Sequence, residues 1–315
     1  MTALVFGIVA VILVWPAPSW LASAQWPLRA PRAAMALWQS IALAAVLSAF
    51  SCGLAIASNM LTVDEQGRPV ANPLEEVATL GIFRWTIYVT VFLLTLVVGA
   101  RLIYSIIRVS MRTRARRSAH RQLVDLLDRM DRSAPDSPLN ARDVRMLEVD
   151  QPMAYCLPGL RQRVVLSEGT VARLTRDELE AVISHERAHL RARHDLILEA
   201  FIAVHDAFPR FVRSRSALGA VQLLVELLAD DTAIRTTGHT QLGRALVACA
   251  DSVAPSGAMA IGGPSTLARV KRLSDTRPTM LISVLAYTAA AAILIVPTLA
   301  VAIPWLNELH RLISA

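Results

Sequence analysis

Apolar residues along this chain gather into four long runs, separated by stretches in which charge and helical or strand periodicity return. The runs are about Thr2–Leu21, Ala33–Ala57, Phe83–Arg101 and Thr279–Ile303. Each approaches or exceeds the roughly 20 residues that a helix needs to cross a bilayer. Pro16 and Pro18 sit near the end of the first run and leave its inner boundary open. Ala22-Ser23-Ala24 resembles a leader cleavage site, but no Lys or Arg precedes Arg29, so a retained helix is expected. The pattern divides the chain into 1–108 with three spans, 109–278 as one compact α+β domain, and 279–315 with the fourth span and a short tail.

Within the middle segment, His120–Arg132 reads as a helix with Leu123, Leu126, Leu127 and Met130 on one face. The Ser-, Pro- and Asp-rich stretch Ser133–Asn140 ends it. Val144–Val149, Arg163–Leu166 and Met153–Leu157 read as short strands, with Gly159 in the turn before Arg163. Thr175 and Glu178 have the spacing of a capping box, and Leu174 and Leu179 that of a hydrophobic staple. A helix is therefore expected from Arg176 to at least Arg191. Another is expected from about Ser216 to Thr237, closed by Gly238 as a left-handed cap.

Composition agrees with a chain partly in lipid: 54% of its 315 residues are hydrophobic, above the 45–50% usual for soluble domains. Charge then orients the runs. Arg29 and Arg32 lie in the first connection; Asp64, Glu65, Glu75 and Glu76 face Arg68 alone in the second. Arginines crowd Arg108–Arg121 after the third run, and Arg269, Lys271, Arg272 and Arg277 precede the fourth. By the positive-inside rule both termini lie outside and residues 109–278 inside. The net charge of +7 is compatible with nucleic acid, but no aromatic residues interleave with Arg108–Arg121, so an anionic lipid surface is the expected partner. Cys52, Cys156 and Cys249 are too scattered for a disulfide scaffold.

The chemistry concentrates in His185-Glu186-Arg187-Ala188-His189. Imidazoles at i and i+4 share one helix face and can hold a single Zn²⁺, while the intervening glutamate can take a proton from water at the metal. Zinc lowers the pKa of such a water to about 7, within reach of a carboxylate base. Glu226 and Asp230, again i and i+4, follow on the second predicted helix. Leu223, Leu224, Val225, Leu227 and Leu228 surround Glu226, and a carboxylate in such a run is costly to bury without a neutralising partner. Glu226 is thus the expected third ligand, Asp230 an acceptor behind a ligand imidazole, and Glu186 the base.

The segments Ala154–Gly159, Arg163–Gly169 and Leu179–His189 resemble the catalytic domain of BlaR/MecR-type membrane metallopeptidases, and the three-plus-one spans are similar to theirs. The resemblance implies a zincin-like fold, one zinc on His185, His189 and the downstream Glu226, Glu186 as catalytic base, and a bacterial cytoplasmic membrane. It also implies a protein substrate, with a cytoplasmic repressor as the candidate. Antibiotic-sensing relatives carry a penicillin-binding domain after the fourth span; none is expected here. Gly263 to Val270 looks like the His-Pro…Arg region of HtpX-like proteases, with Gly263 in place of the histidine, so no oxyanion role carries over.

Weaker candidates surround the motif. Asp195 is expected to orient a ligand, whereas His194 reads as an exposed helix residue and His205 as a core histidine. Tyr155 reads as packing rather than an electrophile, and Cys156 as a small buried hydrophobe rather than an inhibitory thiolate. Strand Arg163–Leu166 is a candidate edge for substrate β-addition. Rival readings are an HtpX-like quality-control protease, a zinc-holding receptor without proteolysis, and a DNA-binding regulator.

Overall fold

Pro16 decides how the chain begins. It has no N–H and its ring crowds the preceding turn, so the first apolar run breaks at Trp15 into α1 (Thr2–Val14) and α2 (Pro16–Ser23). The computed structural model describes residues 2–57, 77, 80–128, 141–208, 215–250, 259–260, 265–275 and 279–314. A short α3 (Trp26–Arg29) leads into α4 (Pro31–Ala57), which packs against α1 and against the last helix, α12 (Met280–Ser314). Four helical segments are long and apolar enough to cross a membrane: Ala3–Ser23, Pro31–Ile56, part of Ile82–Leu126, and Met280–Leu299. Most of the connection expected between the second and third runs, and the loop Ser133–Asn140, lie outside the described residues.

The third run does not stop where its hydropathy stops. It continues as α5 (Ile82–Leu126), 45 residues or about 68 Å of helix, roughly twice what a bilayer's hydrocarbon requires. The separate helix expected from His120 is the far end of α5. Its expected apolar face is also displaced: Leu123 and Leu126 are exposed, while Val124 is buried against Tyr155, Leu157 and Val165.

Three strands follow: β1 (Val144–Leu147), β2 (Ala154–Leu157) and β3 (Arg163–Ser167). A two-residue β4 (Met259–Ala260) completes a sheet ordered β1-β3-β2-β4, with β1 parallel to β3 and the other pairings antiparallel. Strand alternation sends Ala154, Cys156, Val164 and Leu166 into one core and Tyr155, Leu157 and Val165 toward α5. Because β3 is paired on both sides, it has no free edge to offer a substrate peptide.

Helix α6 (Glu168–Arg173), capped by Ser167, turns the chain into α7 (Arg176–Arg191). The α7 capping box is complete: Thr175 accepts from the Glu178 N–H, and Glu178 accepts from the Thr175 N–H at 2.9 Å. α7 buries Ala181, Val182, Ile183 and Leu190 against the sheet. It ends at Arg193, whose φ of 53° is left-handed and reverses the chain into α8 (His194–Ala207). α8 packs along α5, and α9 (Arg215–Thr237) packs on α7. Gly238 after α9 has positive φ, as expected, but an extended ψ of 170° rather than the left-handed helical value, and it opens α10 (His239–Ala248). A basic α11 (Thr266–Leu273) precedes α12. Leu21, Trp38 and Ile41 share one core with Val221, Leu224 and Val225, so the helix carrying Glu226 rests directly on the apolar N-terminal helices.

Candidate metal centre

α7 brings His185, Glu186 and His189 to its buried side, at 0%, 0% and 1% exposure. α9 crosses α7 and presents Glu226 to the two imidazoles. The His185 and His189 Nε2 atoms are 3.1 Å apart; Glu226 Oε2 lies 3.4 Å from the first and Oε1 3.5 Å from the second. A tetrahedral Zn²⁺ with bonds of about 2.0–2.1 Å holds its ligand atoms about 3.3–3.4 Å apart, and each imidazole nitrogen lies close to that spacing from one Glu226 oxygen. They form a group that can hold a metal ion. Glu226, 16% exposed, is the member that meets solvent.

Groups behind the imidazoles set their tautomers. His185 Nδ1 is 3.0 Å from Asp230 Oδ1, an ion-pair contact that draws a proton to Nδ1 and turns Nε2 toward the site. His189 Nδ1 faces His194 Nδ1 at 3.1 Å, so one imidazole donates to the other. With His189 as donor, its Nε2 is free.

The residue after His194 has another partner. Asp195, expected behind a ligand, accepts from Arg117 at 3.0 Å instead. His194 is not exposed but 3% accessible. The reason for both corrections is the left-handed Arg193, which swings His194 back under α7 and turns Asp195 toward α5.

Arg269 was not expected at the centre. It grips Asp230 through both oxygens, Nε–Oδ2 at 2.8 Å and Nη2–Oδ1 at 2.6 Å, and reaches Glu226 Oε2 at 3.1 Å. The sequence offered it only as one of the basic residues before the fourth run and as the arginine of the segment resembling the His-Pro…Arg region, 39 residues beyond Asp230, and neither gave a hint of burial. Gly263 lies outside the described residues.

The sequence profile of peptidase family M48 matches residues 114–277, more than half of the chain. The chain belongs to peptidase family M48. No curated protein and no solved structure matches it. M48 peptidases are generally metal-dependent hydrolases of peptide bonds, and the cluster is the feature of this chain that fits that dependence.

The electrostatics of this M48 site favour a cation. Both oxygens of Glu186 are buried with no N–H or O–H partner among the described residues. Burial pushes its carboxyl up to about 7, where a carboxylate can both take and return a proton near neutral pH. Burial opposes charge on His185, yet Asp230 and Glu226 outweigh it and raise it to about 9. Burial drives His189 down to about 3 and His194 to about 4, keeping both neutral. Burial opposes ionisation of Glu226, but the balance is reversed and its carboxyl lies below the usual range, with His185 and Arg269 as its charged neighbours.

The remaining candidates are inert. Cys156 is buried beside Glu186, and its thiol lies well above the ordinary range because of burial first and Glu186 second, so it is no thiolate ligand. Tyr155 is 1% exposed and bonded to His120 Nε2 at 3.0 Å, facing away from the metal group in the α5-side core. His205 sits 3.5 Å from Asp206, on the other end of α8 from His194.

Proposed function

We propose that this M48 peptidase is an integral-membrane zinc endopeptidase, with its catalytic domain on the cytoplasmic side and both termini outside. The arrangement that carries the reading is the pair of imidazole nitrogens 3.1 Å apart, each with a Glu226 oxygen at 3.4 or 3.5 Å, and the buried Glu186, without an N–H or O–H partner among the described residues, beside them. His185, His189 and Glu226 would hold the ion; when bound, zinc supplies Lewis-acid polarisation of water and of the peptide carbonyl. Glu186 takes the proton from the attacking water and returns it to the leaving amine. Asp230 holds the His185 ring, and Arg269 keeps Asp230 ionised and in place.

Orientation rests on the alternating loop charges, with Arg29 and Arg32 and the Arg108–Arg121 run on one side and the acidic second connection on the other. The motif resemblance supports a signalling role, with a soluble transcriptional repressor as substrate. Direct packing of α9 against α4 favours a second reading, quality control of membrane proteins, because it brings the site next to apolar helices.

Wild type and Glu186→Gln, purified and compared for bound zinc and for cleavage, test the central claim. Both should hold about one zinc per chain, since Glu186 is not a ligand, and only wild type should cut. Absence of zinc from both would overturn the reading.

A further inference from the structure

Away from the metal, a groove of about 720 Å³ lies between α5 and α8. Its α5 wall carries Arg101, Arg108, Arg112 and Arg116, at i, i+7, i+11 and i+15, so the four guanidinium groups form one stripe about 22 Å long. The opposite wall is acidic, but Asp195 and Glu199 are already engaged by Arg117 at 3.0 and 2.6 Å. Asp206 is the other acid on the rim. Among the described residues no carboxylate lies within ion-pair reach of Arg101, Arg108, Arg112 or Arg116, and all four are exposed. Two further arginines of the same basic run behave differently. Arg117 turns inward to α8, and Arg121 donates to the Pro158 carbonyl at 2.6 Å.

The stripe begins where the apolar surface of α5 ends. Phe92, Leu93, Leu96 and Val97 are exposed above it, and Ile103, Ile106 and Ile107 flank its first turn. A ligand held there has an anionic end among the arginines and an apolar remainder along exposed aliphatic side chains. The geometry points to a specific site for the phosphodiester headgroup of an anionic phospholipid, seated between α5 and α8 and held by neighbouring arginines of the stripe, Arg108 and Arg112 foremost. Guanidinium forks match phosphate oxygens two at a time, and a ladder of them one helical turn apart offers several such registers. The headgroup occupies arginines that no carboxylate holds while Arg117 continues to tie α5 to α8, the helix that begins at His194. The inference rests on α5 being a spanning helix.

The test uses full-length protein in detergent, incubated with equimolar phosphatidylglycerol and phosphatidylcholine, with retained lipids counted by native mass spectrometry. Wild type should retain phosphatidylglycerol selectively. Arg108→Gln/Arg112→Gln should lose that preference by about tenfold or more. Arg161→Gln/Arg173→Gln, an equal loss of charge outside the groove, should keep it. Retained preference in the groove variant, or equal loss in both, overturns the site, as does displacement of the lipid by inorganic phosphate at matched concentration. Resistance of the protein to alkaline extraction from membranes reports the span separately. A protein that resists extraction yet shows no lipid preference refutes the groove and leaves the span standing.

Discussion

Two bidentate arginine–aspartate pairs brace opposite ends of the same chemistry. Arg269 grips Asp230 at 2.8 and 2.6 Å with both side chains 1% exposed; Arg187 grips Asp143 at 2.9 and 2.8 Å with side chains 29% and 34% exposed. Geometry barely separates them, but surroundings do. Water can replace either partner of the outer pair, so its net worth is that of a surface ion pair, about 0–1 kcal/mol. Neither partner of the inner pair can be replaced. Asp230 without Arg269 would be a buried anion facing another, Glu226, and breaking such a pair costs about 3–5 kcal/mol. Burial, not bond length, decides which pair the site depends on.

The comparison breaks most visibly at Arg269. Arg269→Leu should lower the thermal midpoint of the metal-free protein by roughly 10 °C, since about 2–4 °C accompanies each kcal/mol in a domain of this size. Added zinc should restore part of the loss, because a divalent cation neutralises the exposed charge of Glu226. A midpoint within 2 °C of wild type would show that water reaches Asp230 and that the two pairs are equivalent after all. A smaller effect is expected one layer out, at His194. His194→Ala leaves the fold's ion pairs untouched but removes the group facing His189 Nδ1, and zinc affinity should fall about tenfold, as for other partners behind a metal ligand. Competition with a chromogenic chelator measures it; unchanged affinity would mean His189 needs no orienting neighbour.

These two residues also mark where sequence stops being informative. His185, Glu186 and His189 could be grouped beforehand because they sit at i, i+1 and i+4 on a helix whose start is signalled locally by Thr175 and Glu178, and Glu226 and Asp230 because they sit at i and i+4 in an apolar run of a second helix. His194 is five positions beyond His189, off the α7 face, and only the left-handed Arg193 brings it back; nothing in an Arg-His step advertises that turn. Arg269 arrives from a separate helix through contacts no periodicity encodes. The sheet's three main strands were readable as short apolar segments, whereas β4, two residues long, was not. The length of α5 was misread for a different reason. Hydropathy falls after Arg101, but hydropathy reports the solvent, not the backbone, and residues 101–126 contain neither Pro nor Gly to stop a helix.

The outer pair gives the smallest effect and the sharpest control. The Arg187 guanidinium, bonded to Asp143 and adding its charge, holds that carboxyl below the usual range. A carboxyl whose pKa is lower in the folded state contributes stability above its unfolded value, near 3.9, and loses it as pH falls through the folded one. Arg187→Ala should therefore cost under about 1 kcal/mol at pH 7, a midpoint shift of at most about 4 °C. The difference from wild type should shrink in high salt and vanish once the medium is acidic enough to protonate Asp143 in both states. The Arg269 effect should resist salt, because its partners are shielded from the ions that would screen them. Equal salt sensitivity at the two sites would contradict the claim that burial separates them.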